Sequence, residues 1–142
     1  MGIRRKGREI ALQTLYAIEF TDHQHTDLEH IFLGKLQEIT NAKDIQADSK
    51  IYEFALEIVR NTIHRIDEID KKIAEHSTNW KVNKIADLDK AVLRIAVYEM
   101  MFTATAPAII MNEAIEIAKK FCSDSSSKFV NGILNSIADD LK

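Results

Sequence analysis

Two short stretches of this chain carry side chains suited to holding a polyanion. The first is Arg4, Arg5, Lys6 and Arg8, four cations opposed only by Glu9 within the first ten residues. The second is SDSSSKF, residues 123–129, which sets hydroxyls beside Lys128 and the ring of Phe129. Cations meet backbone phosphates, while donors and ring faces meet exposed bases, so the combination suits single-stranded RNA. Each stretch also has a plainer reading. The cations can be the solvated start of a helix, Ser125, Ser126 and Ser127 can be hydroxyl caps, and Phe129 can be core. Positive charge at a helix N-terminus opposes the macrodipole, which adds a little weight to an anion-binding role for the first stretch.

Other chemistry is sparsely represented. There is no glycine-rich phosphate loop, no G-x-S-x-G and no H-E-x-x-H. His23 and His25 have no companion ligand at a defined spacing, so neither a metal nor a cofactor is expected. Cys122 has no histidine near it in sequence and reads as a small buried hydrophobe. Glu99, Glu113 and Glu116 suggest a carboxylate pair, but Arg94 is equally available, and an Arg94–Glu113 ion pair between neighbouring helices is the simpler expectation. Asn112 and Asn131 read as residues that fix helix packing. A binding protein fits this inventory better than an enzyme.

The bulk properties agree with that. A chain of 142 residues is most simply one domain, long enough to bury a core. Four glycines and one proline argue against a turn-rich β fold. Of the net charge of −3, the first ten residues hold +3, leaving −6 for the remainder. Local patches rather than net charge therefore decide anion binding. A single cysteine allows no internal disulfide and fits a reducing compartment. No secretion signal or membrane span is evident, so a soluble cytoplasmic protein is expected.

Helical periodicity must supply the positioning elements. Ala11, Leu15 and Ile18 share an inward face of a helix over about 4–20, with Arg5, Arg8, Leu12 and Tyr16 as an adjacent stripe. Thr26 and Glu29 have capping-box spacing ahead of a second helix that uses Leu28, Ile31, Phe32, Leu36 and Ile39. A stretch over about 49–76 is long for one helix, and a break near 61–65 is expected. Lys71, Lys72 and Lys81 form a mixed, solvated face, and Trp80 reads as a plug for a core edge. Three further helices occupy 89–134, the second opening at Pro107 and the third following a serine-rich loop. Gly132 inside that last helix implies close approach by a neighbour, since glycine there costs about 1 kcal/mol relative to alanine.

Three ordered motifs carry a family likeness: RRKGREIALQTLY near the start, LDKAVLRIAVYE, and P-x-x-x-x-NEAIEIAKKF followed by SxKFVNGIL. Together they resemble the NusB family of bacterial transcription antitermination factors. The resemblance implies an all-α fold of about six or seven helices, a single domain made of two small helical bundles packed together, here divided as 1–76 and 77–142. It implies binding of boxA-type RNA together with the ribosomal protein NusE, and a complex with other Nus factors and RNA polymerase that supports transcription of ribosomal RNA operons. RNA contacts would fall on Arg4, Arg5, Lys6 and Arg8 and on Ser125, Ser126, Lys128 and Phe129. The NusE surface would include Tyr16 and Asp89. The serine run replaces a more acidic loop often seen in the family, and Asp89 stands where a longer glutamate is common. The same domain occurs fused to ribosomal RNA methyltransferases, but this chain leaves no room for a methyl-donor domain. The competing expectation is a helical interaction scaffold, or a homodimer, without direct RNA contact.

Overall fold

The apolar positions recur at three- and four-residue steps, and the computed structural model realises them as helices throughout. It describes residues 2–19, 27–77 and 85–142, and among these it contains seven α-helices and no strand: α1 (Ile3–Glu19), α2 (Leu28–Ala42), α3 (Lys50–His64), α4 (Ile66–Glu75), α5 (Asp87–Phe102), α6 (Pro107–Phe121) and α7 (Asp124–Asp140). The expectations for His23, His25, Thr26, Trp80 and Lys81 fall outside the described residues. The all-α class is as expected, and none of the described helices is long and apolar enough to cross a membrane.

The chain divides into two compact units, Met1–His64 and Arg65–Lys142. The expected division after residue 76 is therefore displaced to 64/65. The cause is α4, which packs on α5 and α7 and so belongs with the C-terminal helices. The helix expected over 49–76 does break, at Arg65, and Arg65 is tied to the second unit. Its guanidinium lies 4.2 Å from the centroid of the Phe102 ring on α5. One turn further on, Asp70 of α4 receives two bonds from Arg94 of α5, from Nε at 2.9 Å and from Nη2 at 2.8 Å. A forked arginine–carboxylate pair is geometrically demanding and partly shielded here, which makes it a stronger tie than an exposed pair. Asp70 is a partner for Arg94 that the sequence pattern does not suggest.

In the first unit α1 packs on α2 and α3. Ala11, Leu15 and Ile18 are buried as their spacing predicts, and Ile10, Leu36 and Ala55 form a core flanked by Ile39, Ile45, Ile51, Tyr52 and Leu56. Asp27 is the N-cap of α2, its carboxylate accepting the Glu29 N–H at 3.1 Å. At the other end Asp44 adopts a left-handed φ of 58°. The Asp44 N–H then reaches the Asn41 carbonyl and the Ile45 N–H reaches Thr40, so the last carbonyls of α2 are satisfied without a glycine.

In the second unit α5 is the central helix, in contact with α4, α6 and α7, and every residue from Lys90 to Glu99 except Arg94 is buried. Pro107 occupies the first turn of α6, as predicted. The end of α7 is tied to α4. His76 bonds Ser136 at 2.7 Å and Asp140 at 3.2 Å, and Lys72 bonds Asp140 at 2.9 Å. Lys72 and then His76 hold the Asp140 carboxyl below its ordinary range, so this tie is complete above that range and is lost as pH falls and Asp140 takes a proton.

Gly132 corrects an expectation. It is exposed, and a Cβ there would meet nothing within 4 Å, so no neighbouring helix requires it. Asn112 and Asn131 are exposed as well and do not fix packing from within the core. Gly132→Ala is expected to raise stability by about 0.5–1 kcal/mol, read as a higher urea midpoint with unchanged slope. An unchanged or lowered midpoint would show that the glycine serves a purpose other than leaving space.

Candidate nucleic-acid interface

The cationic start of α1 is built around one ring from another helix. Arg4 and Arg8, one turn apart, each bring a guanidinium carbon to 5.4 Å from the centroid of Phe54 on α3. Gly7 lies between them, and a Cβ at that position would stand 2.6 Å from Cδ2 of the same ring. The helix can approach α3 this closely only because residue 7 has no side chain. Arg8 is consequently 3% exposed. Its aliphatic stem and guanidinium pack α1 against α3, so its first role is structural, whereas the phosphate contact expected of it would need an exposed head group. Arg4 and Lys6 are exposed and Arg5 is half-buried. Tyr16, further along the helix, is half-buried.

The second stretch is helical where a loop was expected. Ser123 is the N-cap of α7, its hydroxyl accepting the Ser126 N–H at 3.0 Å. Ser125, Ser126 and Ser127 therefore lie inside the first turn rather than capping it. Ser127 is buried and donates to the Asp124 carbonyl at 2.7 Å. Ser126 is half-buried; its hydroxyl receives a bond from Ser123 at 3.0 Å and donates to Oδ2 of Asp89 at 3.1 Å. Ser125 and Lys128 are exposed, and Phe129 is half-buried, intermediate between core plug and open ring. Two residues expected on different surfaces, Asp89 and Ser126, are thus bonded to one another within the second unit.

Cys122 joins the same cluster. Burial pushes its thiol up to about 12, and the neighbouring Asp89 carboxylate adds to the shift. A thiol held protonated in this way is a poor nucleophile, in keeping with its expected inertness, although it is half-buried rather than fully enclosed. One grouping among the described residues has metal-ligand character. Glu75, His76 and Asp140 offer atoms within 4.8 Å of one another. Lys72 is already in ion-pair contact with both carboxylates, so an ammonium takes the place that a metal would need.

Gly7 and Phe54, which seat the cationic start of α1, were left unmarked by the sequence pattern. The available signal was a glycine inside a regular helical run, the signal that misleads at Gly132. Arg8→Ala is expected to lower the unfolding free energy by about 1–2 kcal/mol through lost stacking and stem packing. Lys6→Ala should stay within about 0.5 kcal/mol of wild type. Urea titrations of the two variants distinguish them, and equal midpoints would remove Arg8 from the α1–α3 contact.

A model of the NusB family matches residues 5–139. A transcription antitermination protein NusB from Bacillus pumilus is 40% identical over 140 residues, covering 98% of this chain and 97% of that protein. One from Chloroherpeton thalassium is 40% identical over 98% of this chain, which spans 63% of the length of that longer relative. Among solved structures, a crystal structure of antitermination factors NusB and NusE in complex with dsRNA superposes with a TM-score of 0.82 at 25% identity, covering 99% of this chain and 98% of that one.

Proposed function

The chain belongs to the NusB family, and from that premise we propose that it is a transcription antitermination factor. It binds boxA-type single-stranded RNA together with the ribosomal protein NusE, joins other Nus factors and RNA polymerase, and supports transcription of ribosomal RNA operons in the cytoplasm. The observation that carries this reading is the end-to-end likeness to a NusB that has been seen with NusE and RNA. No catalytic step is assigned to it.

In this reading each unit contributes a surface. The first turn of α1 supplies Arg4, Arg5 and Lys6 to backbone phosphates, with Arg8 stacked on Phe54 behind them as the support of that turn. The N-terminal end of α7 supplies Lys128 and the exposed Ser125 hydroxyl, with the half-buried Phe129 ring available to a base. Phosphate contacts of this kind give affinity and register; sequence preference must come from the bases. NusE meets Tyr16 on the first unit and Asp89 on the second. The likeness is to a complex with duplex RNA, and affinities for a single strand and a duplex of the same sequence distinguish the protein's preference.

A salt titration tests direct RNA contact. With three or four phosphates neutralised, log affinity for a boxA-like single strand should fall against log salt with a slope of about −2 to −3. Arg4→Ala or Lys6→Ala should flatten that slope by somewhat less than one unit each. A wild-type affinity that ignores salt would support instead the scaffold reading, in which the helices meet only protein.

A further inference from the structure

We propose that Asp89 serves both surfaces of the second unit: its charge meets the protein partner, and its acceptor oxygen seats the α7 turn that meets RNA. The inference rests on the functional reading above and adds to it a residue-level division of labour. Its basis is the hydrogen-bond cluster at the junction of α6 and α7. Ser126 Oγ donates to Asp89 Oδ2 at 3.1 Å, across 37 positions of sequence. The Ser126 N–H is held by Ser123 Oγ, and the Ser123 hydroxyl donates back to Ser126 Oγ. Ser123 Oγ also lies 3.1 Å from Ser125 Oγ. A single carboxylate on the first turn of α5 thus fixes a chain of hydroxyls that ends at the exposed Ser125, three residues before Lys128.

The chemistry of the carboxylate permits both duties at once. An ionised aspartate has two oxygens and about four lone-pair directions. One direction is taken by Ser126 and another by the Cys122 thiol, and Asp89 remains half-buried rather than enclosed, so a cationic side chain of a partner protein has room to approach. Ser126 is then a positioning residue. Its hydroxyl is spent inside the cluster, and it acts on RNA through the placement of Ser125 and Lys128 rather than by touching a nucleotide. This changes the role that the sequence pattern suggests for it.

The two duties depend on different properties of residue 89, which makes them separable. Asp89→Asn removes the charge but keeps a carbonyl oxygen for Ser126; Asp89→Ala removes both. Affinity for NusE is expected to fall equally in the two variants, because only charge matters there. Affinity for a boxA-like RNA, measured without NusE, is expected to differ between them. Asn should bind at least as tightly as wild type, having lost a negative charge near phosphate, and Ala about three- to tenfold more weakly than Asn. Ser126→Ala should reproduce the RNA defect while leaving NusE binding unchanged. Thermal unfolding of each variant, followed by circular dichroism, checks that α7 is still folded at the assay temperature. Equal RNA affinity of the Asn and Ala variants, or normal RNA binding by Ser126→Ala, would overturn the inference while leaving the RNA-binding reading intact. A wild-type protein that binds no RNA would overturn both.

Discussion

At Gly7 the backbone of α1 lies so close to Phe54 that a methyl group would not fit. That approach governs the character of the cationic helix start. Arg4 and Arg8 are like charges one turn apart, which repel by a few tenths of a kcal/mol, and both oppose the helix dipole. The π face of Phe54 attracts both guanidinium groups and offsets that cost. A folded cationic turn then exists before any phosphate arrives. Arg8 is committed to the support, and the outward character of the turn rests on Arg4, Arg5 and Lys6.

The second unit solves a different problem, that of gathering three helices round a fourth. α5 is buried on nearly every side, and its polar groups act as specific ties rather than as a solvated face. Arg94 holds α4 through Asp70, Phe102 receives Arg65 at the start of the unit, and Asp89 holds the first turn of α7 through Ser126. These ties fall at the two ends and the middle of α5. They explain why the chain divides at residue 64 rather than after α4. They also place a residue expected at a protein interface in contact with one expected at an RNA interface.

Much of the fold was legible because it depends on local periodicity. The inward stripe of Ala11, Leu15 and Ile18 follows from spacing, the start at Pro107 from proline's fixed geometry, and the break after His64 from the length of the helical run. The features that were not legible depend on partners distant in sequence. Nothing local distinguishes Gly7, which has Phe54 against it, from Gly132, which has open space. Nothing local shows that Asp70 will face Arg94. The cap of α7 was misplaced by two to four residues because four serines compete for it, and only the backbone shows that Ser123 is the one with extended geometry. Among the candidate site residues the types were readable and the exposures were not, since a buried arginine and an exposed one have the same letter.

The central claim is that RNA is met by the outward part of a turn whose inner part is already committed to Phe54. The most direct measurement is a nuclear magnetic resonance titration of the isotope-labelled protein with a boxA-like RNA, followed at backbone amides and arginine side chains. The account predicts perturbed signals at Arg4, Arg5 and Lys6 and at Ser125 and Lys128, while the Arg8 side-chain resonance keeps its position beside the ring. Perturbations confined to other helices, or an Arg8 side chain that leaves Phe54 to follow the RNA, would contradict it.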